Sequence, residues 1–353
     1  NMNIESSRDL KYDQLITALV LILAFAKYYI GPFSYISYPL AIFFTVYRFN
    51  RLDWILSASL VALFCKSILE FGIINASLLF GFHWGFFIYY LFFKTYNRHF
   101  NSKIIFSILS VLTIVEGILV NTILDAKNLP NYPDEGLYSH FSLIFQRSYS
   151  FGGNASVTGV LIISLLFLIP FSKWRTILAS FAIFFSASGS GILSIFSYFL
   201  YNFKKFNKLS SLIFFIILSL IISYIINTYD LTILTKISQK YILSLLAIKW
   251  QSIIDSISQI NFSLFLFGSQ NMIDAGGDFA LLGFFKSNGI LGLVILLTII
   301  YSNINRFNYL PILIMIVFSL HYYIIFSGPG QLIFAYLLSI NQKNISNSKY
   351  KFL

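Results

Sequence analysis

Residues 104–124 read IIFSILSVLTIVEGILVNTIL, a run in which Glu116 is the only charge. An α-helix rises about 1.5 Å per residue and the hydrocarbon core of a bilayer is about 30 Å thick, so a run of this length and polarity predicts one membrane-crossing helix. Its apolar residues do not alternate with polar ones, which argues against a strand of a transmembrane barrel. Working outward, comparable apolar stretches lie near 12–30, 36–48, 54–74, 77–94, 154–171, 175–188, 189–203, 210–227, 279–301, 309–327 and 329–341. The expected fold class is therefore all-α: a polytopic integral membrane protein of about 12 transmembrane helices, one membrane domain over residues 1–353. The stretch 175–203 contains Ser186-Ala187-Ser188-Gly189-Ser190-Gly191, readable as a tight turn or as a loosened segment within the membrane.

The composition agrees. Of 353 residues, 58% are hydrophobic, 19% aromatic and 10% charged, with a mean hydropathy of +0.78. A soluble domain carries about 25% charged residues, so too few are present here to coat a water-facing surface. The lone Cys65 excludes an intramolecular disulfide. A net charge of +11 would suggest nucleic acid in a polar chain, but here it follows the positive-inside rule. With both termini cytoplasmic, the inner joints collect sixteen of 24 cations against four acids, while two long outer loops, 125–153 and 228–278, hold five cations against seven acids. Nucleic acid drops out as a partner. The first apolar stretch follows a polar start without a small-residue cleavage signature, so no cleaved leader is expected.

Loops of this length in a compact fold are usually functional or disordered, and both are rich in aromatic and aliphatic residues. Within the second, residues 234–260 place apolar side chains at helical spacing between Lys236, Lys240 and Lys249, as in amphipathic helices at the outer interface.

Three constellations are candidates for chemistry. In the first, Arg147 precedes Ser148-Tyr149-Ser150-Phe151-Gly152-Gly153-Asn154 and a span. A guanidinium fork, backbone amides and a helix N-terminus could converge there on a phosphate or pyrophosphate; equally, the group could be an interfacial Arg with a glycine loop and an Asn154 cap. The second is the cation set Lys236, Lys240 and Lys249, on the outer side against the topology bias, with Trp250 adjacent. The third is the turn 267–278, where Asp274 is a candidate substrate contact and Asp278 either caps a helix or activates a sugar hydroxyl. His140, beside Asp134 and Glu135, is the one histidine placed for acid/base work. Tyr149, Tyr138 and Trp250 either stack on sugars or belong to an interfacial aromatic belt.

Inside the spans, Lys66 and Glu70 predict an i,i+4 ion pair facing the bundle interior. Glu116 lacks a sequence-local partner, and Lys27 either pairs with it or snorkels outward. Lys286 needs a partner or a wet cavity. His83 reads as packed or interfacial, His99 as lying on a cytoplasmic joint, and His321 as lying within a span. No metal or nucleotide motif occurs, so no cofactor is expected.

Taken together, the Arg147 segment, the turn Ser186–Gly191, the run Lys249-Trp250-Gln251 through Phe267-Gly268, and Gly277-Asp278-Phe279 leading to Gly289-Ile290-Leu291-Gly292 resemble the bacterial O-antigen polymerase and ligase superfamily, the Wzy-like membrane glycosyltransferases. The resemblance covers residues 140–300. It implies metal-free, inverting transfer on the periplasmic face of the inner membrane between undecaprenyl-pyrophosphate-linked glycans, with a chain-length regulator protein among the partners. Arg147 would take the pyrophosphate role, with Lys249 where relatives tend to carry Arg. The His-Asn element of the ligase branch is replaced by Gly277-Asp278-Phe279, which favours a polymerase with Asp278 serving the acceptor. A ligase, a flippase and a non-catalytic scaffold are the rival readings.

Overall fold

The computed structural model describes residues 2–45, 50–96, 99–124, 147–202, 251, 254, 262–268, 280–320 and 322–340. Among them, every regular element is helical: α1 (Met2–Phe25), α2 (Lys27–Ile30), a 3-10 segment (Gly31–Ile36), α3 (Ser37–Phe43), α4 (Arg51–Tyr96), α5 (Ser102–Thr122), a 3-10 turn (Ser150–Gly152), α6 (Ala155–Phe167), α7 (Lys173–Ser186), α8 (Gly189–Asn202), α9 (Phe262–Phe267), α10 (Ala280–Asn303), α11 (Tyr309–Ser319) and α12 (Gly328–Ser339). Three of these, α4, α5 and α10, are long and apolar enough to cross a membrane, and α1 with the bent segment after it makes up to a fourth crossing. Large apolar side chains such as Phe43, Leu69, Trp174 and Tyr301 stand exposed, as lipid-facing groups would. The expected stretch 210–227 lies outside the described residues.

The 46 residues of α4 do not form one rod. Gly72 has φ 75° and ψ 163°, a conformation that glycine reaches without a Cβ penalty. The chain reverses there. Phe64 and Phe80 lie eight residues on either side of Gly72, and their ring centroids are 5.1 Å apart, whereas 16 residues of straight helix would separate them by about 24 Å. At the other end, Lys94 Nζ meets Asp53 Oδ1 at 2.5 Å. The element is thus an antiparallel helical hairpin, close to the two expected stretches 54–74 and 77–94. Its base is closed by a buried ion pair, and it starts at a reciprocal cap in which Asp53 N donates to Asn50 Oδ1 (2.8 Å) and Asn50 N to Asp53 Oδ2 (3.2 Å).

The same up-and-down logic runs through the bundle. Tyr12 meets Phe44 edge-on at 6.2 Å, so the chain after α1 comes back beside its start. Phe100, just before α5, stacks on Tyr336 near the end of α12 at 3.8 Å. Gln331 on α12 is fully buried, accepts from Tyr38 Oη at 2.5 Å, and donates to the carbonyls of Gly81 and Phe82. Trp84 Nε1 donates to Asn288 Oδ1 at 2.9 Å and Tyr90 Oη to Asn303 Oδ1 at 2.9 Å, tying α10 to the second arm of the hairpin. Buried aromatic rings, among them Trp84, Phe86, Phe284, Phe326 and Phe334, fill the centre.

Helix length decides where the site sits. α6, α7, α8 and α12 have 13, 14, 14 and 12 residues, or roughly 18–21 Å each, well short of the ~30 Å hydrocarbon thickness. One end of the bundle carries Arg51, Lys94 and Lys103. Measured from that end, α12 begins and α1 terminates part-way up, and the turn before α6 lies with them. The Ser186–Gly191 segment is a tight turn at the same level: Ala187 is left-handed (φ 45°), Ser188 Oγ accepts from Gly191 N at 3.0 Å, and Ser190 Oγ donates to Ser156 O at 3.3 Å.

Candidate functional site

The best-defined polar cluster centres on Glu116, on α5. Its Oε1 accepts from Tyr149 N (2.9 Å), Ser150 N (2.7 Å) and Ser148 Oγ (3.1 Å), and its Oε2 accepts from Tyr29 Oη (2.5 Å). A buried carboxylate is costly unless its lone pairs are filled, and four donors fill these. Of the two readings of Lys27, pairing with Glu116 is not found: the partners of the carboxylate are a phenol, a hydroxyl and two amides. The carboxylate holds the segment after Arg147 in shape, including Ser150 in the left-handed region at φ 47°. Thr158 finishes the lock, donating to Tyr149 O (2.5 Å) and accepting from Gly152 N (3.2 Å).

Beside this turn lies a cavity of about 380 Å³, within the usual size range of small-ligand sites. Its walls include Lys27, Tyr35, Gly152, Gly153, Ser327 and Gly328, and among the described residues no acidic one lines it. Lys27 Nζ sits 5.1 Å from the Tyr35 ring centroid. A Cβ on Gly328 would lie 2.7 Å from Lys27 Cδ, so the bare glycine leaves room for the lysine stem. The adjoining wall is the N-terminus of α12, where Ser327 Oγ accepts from Gly330 N at 3.1 Å. A lysine, a helix N-terminus and a glycine turn therefore converge on one space, a chemistry suited to an anion.

The sequence-predicted residues are distributed unevenly. Arg147 is half-buried at the start of the locked turn and does not line the cavity. Asn154 caps α6, its Oδ1 accepting from Ser156 N (2.8 Å) and Val157 N (3.4 Å), so the capping reading holds and that oxygen is occupied. Tyr149 is buried at 5% exposure, which removes its ring as an open platform for a sugar. The amides expected to face an anion are largely occupied within the fold, those of residues 149 and 150 by Glu116 and those of residues 156 and 157 by Asn154. His140, Lys236, Lys240, Lys249, Trp250, Asp274 and Asp278 lie outside the described residues.

The Lys66–Glu70 ion pair is present at 2.9 Å, but about a third of each side chain is exposed instead of facing the interior, and Lys66 also donates to Gly268 O at 3.1 Å. His83 is packed among Phe82, Phe284 and Phe326, as expected. Sequence reasoning missed Tyr29, Lys27 as a cavity wall, and Ser327-Gly328. The available signal was Lys27 itself, an unexplained cation at the end of an apolar run, together with the Ser-Gly-Pro-Gly start of α12.

No family model, no curated protein and no solved structure matches the sequence.

Proposed function

We propose that the chain is a polysaccharide polymerase of the inner membrane, joining undecaprenyl-pyrophosphate-linked repeat units on the periplasmic side without metal or cofactor. In this reading the chain crosses the membrane about twelve times, and the basic end faces the cytoplasm. The level where the short helices stop then opens toward the periplasm. The observation that carries the reading is the turn after Arg147. A buried carboxylate and a threonine hold it beside a cavity that offers Lys27 and, among the described residues, no acid.

A pyrophosphate is already a good leaving group. Transfer from a lipid pyrophosphate mainly needs charge stabilisation and orientation, which fixed cations and amides supply without reorganising. Arg147 serves the departing pyrophosphate, aided by Lys249, Lys240 and Lys236. Asp278 binds or activates the acceptor hydroxyl, and His140, Asp274 and Trp250 complete the sugar-binding surface. A chain-length regulator is the protein partner.

The test is Arg147→Ala in a strain lacking the native gene. Long-chain polysaccharide should disappear while protein level and single-unit glycan remain, read as a ladder on a gel. Normal ladders would sink the assignment. In the deletion strain itself, one repeat unit still attached to lipid A core supports a polymerase, whereas none at all moves the assignment to a ligase or flippase.

A further inference from the structure

We infer that the cavity beside Lys27 binds a phosphate or pyrophosphate group and, resting on the polymerase reading, that this group is the one carried by the lipid-linked glycan. The first step is a charge balance. Lys27 opens α2, just after α1 ends, among apolar helices, where a cation requires a counter-charge or water. Glu116, the carboxylate expected to pair with it, is filled by other donors. Among the described residues Lys27 makes no ion pair, and its ammonium borders the cavity over the Tyr35 ring. An anion in this space would supply the balancing charge.

The second step concerns donors. In the first turn of α12, Pro329 has no amide hydrogen and Gly330 N is taken by Ser327 Oγ. That leaves the N–H of Gly328, a residue that lines the cavity. One ammonium and one amide at the positive end of a 12-residue helix form a mixed donor set of the kind that holds phosphate oxygens. The walls at Gly152-Gly153 carry no side chain, so a group as broad as a pyrophosphate can approach backbone directly.

The third step concerns delivery. The cavity lies where the short helices stop, about 20 Å from the basic end by helix rise, within the half of the bilayer nearer the opposite face. An anion reaching that depth is most readily one tethered to a lipid.

The experiment uses the full-length protein in detergent and in nanodiscs, with three probes: undecaprenyl pyrophosphate, inorganic pyrophosphate, and phosphatidylglycerol as competitor. The expected result is that Lys27→Met weakens undecaprenyl pyrophosphate binding about tenfold or more, the scale of a charge-assisted hydrogen bond, while Lys27→Arg retains it. Gly328→Ala, whose methyl displaces the lysine stem, should weaken it as well. If Lys27→Met is not recovered folded, Lys27→Gln takes its place. Unchanged affinity in the folded neutral variants overturns the inference. Lysine-dependent binding of inorganic pyrophosphate with no gain from the lipid, or equal competition by phosphatidylglycerol, overturns the lipid-linked source. Failure of the polymerase reading looks different: Arg147→Ala gives a normal ladder while the dependence of binding on Lys27 persists.

Discussion

Replacing Glu116 by Gln keeps the size of the side chain and removes its charge. Oε1 still accepts from Tyr149 N, Ser150 N and Ser148 Oγ, now as a neutral acceptor, while the position of Oε2 becomes an NH₂ facing Tyr29 Oη. Hydrogen bonds to a charged group contribute about 1.5–3 kcal/mol and neutral ones about 1. Four bonds weakened by roughly 0.5–1 kcal/mol each give a loss of about 2–4 kcal/mol, concentrated on the turn that follows Arg147. Ser150, held at φ 47°, gains a route back to an unstrained conformation. If the turn opens as a local unit, amide exchange at Tyr149 and Ser150 should accelerate roughly thirty- to several-hundred-fold, at about 1.4 kcal/mol per decade. Exchange in the core of α5 should change little. Hydrogen exchange by mass spectrometry on the detergent-purified protein reads both regions in one experiment. Tyr29→Phe removes one bond of the four and should produce a smaller rise at the same amides. Unchanged protection of residues 149 and 150 in Glu116→Gln would refute the account of the carboxylate as the anchor of this turn.

Two further outcomes follow from the hairpin. Asp53→Asn takes the carboxylate from Lys94 at a site where Asp53 is 1% exposed, so thermal stability should fall by about 3 kcal/mol, and the Asp53→Asn, Lys94→Met double variant should regain most of it; a double variant no better than the single one contradicts this. In a Cys65→Ser background, the pair Phe64→Cys and Phe80→Cys should be joined by a short bifunctional thiol reagent, which bridges positions whose rings meet at 5.1 Å but not the ~24 Å of a straight helix. Failure to cross-link while the protein remains folded would mean that the chain does not reverse at Gly72.

Much of the helix pattern was legible because lipid imposes a long, unbroken apolar run, and such runs show in one sequence without knowledge of partners. The expected stretches 104–124, 154–171, 175–188, 189–203 and 279–301 lie within a few residues of α5, α6, α7, α8 and α10. The Lys66–Glu70 pair was legible because its members are one helical turn apart. Glu116 was legible only as a problem. Its donors lie 87 residues upstream at Tyr29 and 32–34 residues downstream at Ser148, Tyr149 and Ser150, and none carries a charge. A search for a cation could not find them, although neutral donors avoid desolvating a second ion. Lys27 and Gly328 were hidden for the same reason, since 301 positions separate two groups that meet only once the starts of α2 and α12 are packed together.

Helix length links these points. A bundle made only of spans long enough to cross would place its polar turns at the membrane surface, where water can satisfy them. Here α6, α7, α8 and α12 stop early, so the turns that join or open them must be satisfied by the protein itself. Asn154, Ser188 and Ser327 therefore cap their own helices, and Glu116 and Thr158 hold the turn after Arg147. Lys27 is different. Its ammonium borders the cavity, and among the described residues no carboxylate lines that wall. The contrast between filled caps and a lysine with no ion pair among the described residues supports the cavity, beside the locked turn, as a place where a negatively charged group is received.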